Sequence, residues 1–169
     1  MRAIPWLLII VALAGVVATA KESRSQAAPP QLERLTIASE TFTLEVAADD
    51  RTREKGLMGR TQIAPDRGML FIYPSARVLS FWMANCLIDI DILYVDAQGK
   101  IVSTHKMKAP LPRRDDESQA AYEARLARYS SKWPAQFAIE LKAGTINRLK
   151  IEPGQKIVMD LERLKKLAR

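Results

Sequence analysis

An all-β domain is what this chain predicts, a compact sandwich or partly closed barrel of about seven or eight strands with two or three short peripheral helices. Three observations carry that expectation. Apolar and polar residues alternate at period two toward both ends of the domain, strand-length apolar runs occupy its middle, and Gly- or Pro-containing turns separate the segments.

Residues 1–20 read as an export signal. Arg2 gives a short positive start, Ile4 to Val17 is almost wholly apolar, and Ala18-Thr19-Ala20 fits a small-x-small cleavage site. The alternative is an uncleaved N-terminal anchor, because residues 4–20 reach the short limit of roughly 17 to 25 apolar residues needed to span a bilayer. Polar sequence directly after Ala20 favours cleavage. Residues 21–31, with Ser, Gln and Pro29-Pro30, form a disordered, solvated tether. A single domain then occupies 32–169, long enough for one ordinary core and too short for two.

Within it, Leu35 and Ile37, then Phe42, Leu44 and Val46, make a hairpin across Ser39-Glu40. Asp50 N-caps a helix from Arg51 to Met58 that Gly59 ends. Met69 to Tyr73 and Val78 to Met83 are apolar enough to be strands covered on both faces. The Asp96 to Lys100 loop, with Gly99 in the left-handed position, pairs Val95 with Ile101, Leu93 with Ser103 and Asp91 with His105. A second helix, Asp116 to Tyr129, places Tyr122, Leu126 and Tyr129 on one stripe inside a helical insert at 111–132. Phe137, Ile139 and Leu141 alternate as a half-buried strand, and so do Ile157, Met159 and Leu161 beyond the Pro153-Gly154 turn. Thr145 caps one more helical turn before Leu149.

Composition narrows the function. Cys86 is the single cysteine, so no intramolecular disulfide forms despite the expected export. It also leaves no lipid-attachment cysteine at the end of the signal, where Lys21 stands. One histidine, His105, removes zinc sites of mixed His and Cys ligands, blue-copper sites and H-E-x-x-H proteases. A net charge of +7 suits weak attraction to anionic envelope material. No nucleic-acid partner is expected, for want of a binding motif, and membrane contact is expected only through the N-terminal segment if it stays uncleaved.

The densest motifs lie between Arg53 and Asp91: Gly56-Leu57-Met58-Gly59-Arg60, Gly68-Met69-Leu70-Phe71, and Phe81-Trp82-Met83-Ala84-Asn85 followed by Leu87 and Asp91. Their order and spacing resemble the bacterial and archaeal family known as domain of unknown function 192, and the resemblance implies a compact β-sandwich without implying an activity. Ala84, Cys86 and Asp89 depart from it, where lysine, threonine and proline are common. Leu57, Met58, Met69 and Met83 are expected in the core, with Phe81 and Trp82 on opposite faces of a central strand. Arg60, Asn85 and Asp91 adjoin apolar runs and therefore need partners: an Arg60–Asp91 bridge, or an Asn85 side chain closing a turn, or a bound ligand held by Arg60, Asn85 and the Trp82 ring.

Two functions follow from different classes. The first is a binding or accessory module, exported to the periplasm or beyond, that takes an envelope component or small ligand at Arg60, Trp82, Asn85 and Asp91, with no cofactor. The second is a cysteine-dependent hydrolase in which Cys86 is the nucleophile, His105 the base and Asp91 the orienting carboxylate. Asp89 and Asp91, two apart on one strand, are a further candidate pair for a cation such as calcium, and His105, Met107, Met83 and Cys86 for Cu(I).

Overall fold

The computed structural model describes residues 29–169; the expected export signal and most of the tether lie outside that range. The described chain is mostly strand. β1 (Leu32–Ile37), β2 (Glu40–Ala47), β3 (Arg67–Trp82), β4 (Ile90–Val95), β5 (Ile101–Met107) and β6 (Arg128–Lys142) form one sheet in the order β1-β2-β3-β6-β4-β5. All neighbours are antiparallel except β2 and β3. Four short helices decorate it: α1 (Asp50–Lys55), α2 (Gln119–Ala124), α3 (Thr145–Leu149) and α4 (Leu161–Lys165).

The all-β class holds with six strands. Met69 to Tyr73 and Val78 to Met83 belong to one long strand and its end, because β3 absorbs Pro74 in a register shift between Ile72 and Arg77 and continues pairing with β6. Only its first half is covered on both faces. Val78 is 56% exposed beyond the shift, correcting the expectation of a wholly central run. Nor does Ile157 to Leu161 form a strand. Single bridges from Val158 to Thr36 and from Lys156 to Lys100 set this segment between the edge strands β1 and β5, so the sheet curls without closing, and Leu161 starts α4.

One face of the curl is filled by Phe42, Leu44, Leu70, Ile72, Leu93, Phe137 and Ile139, with Ile146 of α3 and Leu164 of α4 closing over them. The opposite face packs Phe71, Ile92, Tyr94 and Ala138 under Leu57, Ile63, Met83 and Cys86. Residues 137–141 are therefore buried on both faces, not half-buried, since β6 lies in the middle of the sheet.

The helices are shorter than their patterns. Asp49, not Asp50, caps α1: its carboxylate accepts from Thr52 N–H at 2.9 Å while Thr52 Oγ1 accepts from Asp49 N–H, a reciprocal box. Gly56, at φ +47°, ends the helix before the expected Gly59. The helix expected over Asp116 to Tyr129 is reduced to α2, and Arg128 to Lys132 are strand. Ser131 Oγ accepts from Leu79 N–H at 2.9 Å, so the last residues of the proposed insert belong to the sheet.

Register decides the site. β4 and β5 pair Asp91 with Lys106 and Ile92 with His105, with an irregularity next to Val95 that accommodates Val102 as one extra residue. A bulge beside the Gly99 loop shifts the expected pairing by one, and at period two a one-residue shift sends Asp91 and His105 to opposite faces.

Candidate functional site

The residues expected at the site do not converge. Arg60 is exposed, and its Nη2 bonds both Glu45 oxygens at 2.6 and 2.7 Å along an open groove; the Arg60–Asp91 bridge does not form. Asp91 is 1% exposed on the far face, where its Oδ2 accepts from Ile146 N–H at 2.8 Å at the start of α3. Burial raises its carboxyl above the usual range, opposed by the N–H groups of Ile146 and Gly144. Asn85 holds a turn through its backbone and not through the side chain expected to close it: at φ +54° its N–H donates to Tyr122 Oη at 3.0 Å and its carbonyl accepts from Gly59. Trp82 is half-buried, with the Arg128 guanidinium 4.1 Å above its ring.

The hydrolase arrangement is not assembled. Asp91 faces α3, while His105 Nε2 donates to the Ser130 carbonyl at 2.7 Å on the other side of the sheet. Burial pushes the Cys86 thiol up to about 12, which withholds the thiolate a nucleophile requires. The cation pair fails likewise. Asp89 is bound by Lys108 Nζ at 2.6 Å and Ala109 N–H at 2.9 Å, whereas Asp91 is buried against α3. Among the described residues no group of three or more His, Cys, Asp or Glu is placed to hold a metal ion.

A different side chain dominates. Glu140 is 5% exposed on β6, at the floor of a concavity of about 450 Å³ bounded by α1, β3 and the Trp82 to Cys86 turn. Its Oε2 has no hydrogen-bond partner in the protein, and burial pushes its carboxyl up to about 8, so the acid is largely protonated at neutral pH. Phe71 and Phe81 pack edge to face at 4.9 Å in its wall. From Phe81 the contacts continue to Tyr94 at 5.7 Å and His105 at 5.9 Å.

Local structure fixes this geometry. Gly68 of β3 lies so close to β6 that a Cβ there would stand 2.1 Å from the Glu140 carbonyl oxygen, so only glycine lets the two central strands approach here. Arg53, buried along its side chain, ties α1 over the concavity through the Ile72 carbonyl at 2.8 Å and the Arg169 carbonyl at 2.7 Å. Arg53 is thus a strut between α1, β3 and Arg169.

Sequence reasoning missed Glu140 because it alternates with Ile139 and Leu141 like any residue on a wet face. The available signal was the length of the apolar stretch around it: Phe137, Ala138, Ile139 and Leu141 leave Glu140 as the one charge between Pro134 and Leu141, as in a segment covered on both sides.

Residues 33–159 match the model of the uncharacterized ACR family, domain of unknown function 192. The chain belongs to this family. Its fold is similar to a putative transcription regulator from Sinorhizobium meliloti, 34% identical, with a TM-score of 0.62 over 78% of this chain and 96% of that one. It is also similar to a protein of unknown function from Novosphingobium aromaticivorans, 25% identical, with a TM-score of 0.57 over 79% of this chain and 94% of that one. None of the curated proteins matches.

Proposed function

We propose that this member of the family is an exported binding or accessory module that holds a small ligand in the concavity over Glu140. The observation that carries the reading is a buried carboxyl with an unpartnered oxygen at the floor of an open, aromatic-walled recess. Leaving such a group unpaired costs on the order of 1 to 3 kcal/mol, and a ligand that supplies the partner recovers it. The volume lies within the range of about 300 to 1,000 Å³ common to small-molecule sites. Export rests on the apolar segment and Ala18-Thr19-Ala20 site of the sequence.

The activity named for the Sinorhizobium protein is not carried over. α1 and α2 have six residues each and α3 and α4 five, too short for a helix that reads along the major groove.

Native mass spectrometry of protein purified from its export compartment tests the reading. A mature chain beginning at Lys21 and carrying a reproducible added mass is expected, with the adduct lost in Ser80→Phe, which fills the recess from its open side. An adduct untouched by Ser80→Phe would move the ligand elsewhere, and a chain retaining residues 1–20 in the membrane fraction would replace secretion by anchoring.

A further inference from the structure

The chemistry of the recess narrows its occupant. We propose that the ligand is a small organic carboxylate on a compact apolar body, one of whose oxygens accepts a hydrogen bond from the Glu140 carboxyl while Arg51 and Lys55 stand at the mouth. The inference rests on the concavity reading above and adds the ligand class.

Three observations favour an anion over a cation. First, the cross-strand neighbours of Glu140 are the apolar Ile92 and Met69, and its Oε2 has no partner in the protein. Second, three cations, Arg51, Arg53 and Lys55, line the concavity against two carboxylates besides Glu140, those of Glu54 and Glu123. Third, two of the rings lining the recess already carry protein guanidinium groups: Arg53 and Arg77 lie 5.2 and 5.1 Å from the Tyr73 centroid, and Arg128 caps Trp82. Phe71 and Phe81 remain to enclose an apolar body. A protonated acid donating to a carboxylate makes a short, charge-assisted O–H···O bond, stronger than a neutral one.

Proton linkage gives the test its sign. The charged groups facing Glu140 from the helices are Arg51, Arg53, Glu54 and Lys55 on α1 and Glu123 on α2. Nearer to it, Tyr73 of β3, Tyr94 of β4 and Cys86 of the turn are all pushed upward by burial and keep their protons at neutral pH. Glu140 is then the buried group that changes charge as pH rises through about 8. Losing its proton removes the donor and sets like charges together.

Phenylacetate and its cationic counterpart phenethylamine are the probes, titrated into the purified full chain with NMR observation of the Glu140 carboxyl carbon and the Phe71 and Phe81 rings. Phenylacetate is expected to shift these signals, with a Kd weakened about thirtyfold between about pH 6.5 and about pH 9.5. Glu140→Gln keeps a donor but cannot ionise, so binding persists in that variant with the same Kd at both pH values. Tighter binding of phenethylamine as pH rises would overturn the carboxylate assignment and leave the concavity as a site. Silence to both probes would also overturn it, and the effect of Ser80→Phe on the native adduct then decides separately whether the concavity reading stands.

Discussion

Asp91 and Glu140 occupy paired central strands and are both buried, yet they meet opposite fates. Asp91 lies opposite Leu141 and Glu140 opposite Ile92, so one step of register sends the two carboxyls to opposite faces of the same sheet. On the closed face α3 presents the Ile146 N–H to Asp91 at 2.8 Å, and the carboxyl becomes a tie between strand and helix. On the other face α1 and the Trp82 to Cys86 turn stop short of Glu140, and its Oε2 stays unpaired. A buried charge is therefore a poor guide to function by itself: what matters is whether the layer above supplies its partner.

The largest effect that tests this contrast is proton linkage at Glu140. The unfolded chain releases this proton near the ordinary value of 4.5, whereas the folded protein keeps it to about 8. Folding accordingly takes up a proton between those values. The stabilising contribution is fully present below the window and is lost as pH rises through it, at up to about 1.4 kcal/mol per pH unit. Urea melts from acid to mildly alkaline pH are expected to show this fall in the wild type and not in Glu140→Gln. A matching slope in the variant would assign the linkage to another group.

Next in size is Asp91→Ala, expected to cost about 1 to 3 kcal/mol by stranding the buried Ile146 N–H. Asp91→Asn keeps an acceptor and is expected to recover much of the loss in the same melts, with Glu140 signals unmoved in both. A change in ligand binding from Asp91→Asn would deny that the faces are independent.

Trp82→Ala is expected to be milder, about 1 to 2 kcal/mol, because the ring is half-buried and loses chiefly its Arg128 contact and partial packing. A full core aromatic costs about 3 to 5 kcal/mol. A loss of that size would place Trp82 in the core after all. The smallest effect belongs to Arg60→Ala, at about 0 to 1 kcal/mol for an exposed ion pair with Glu45. Ligand affinity is expected to stay unchanged in that variant, because Arg60 lines the other groove; a drop in affinity would extend the site there.

Local patterning determined much by itself. The β1–β2 hairpin, a short capped helix near Asp50, the first half of β3 and the all-β class follow from period-two alternation, one continuous apolar run, a local cap and turn residues, all of which act over a few positions. The motifs from Arg53 to Asp91 likewise identified the family. What sequence could not supply was which strands become neighbours and what covers each face. A bulge of one residue beside Val95 separated Asp91 from His105, close to where Lys156 bridges Lys100 at the start of β5. The same limit hid Glu140. In one dimension it is a polar residue in an alternating strand, and only the placement of β6 between β3 and β4, beneath α1, turned it into a buried acid without a partner. Pairing and burial are properties of the assembled layers, where contacts between residues far apart in sequence overrule the local period.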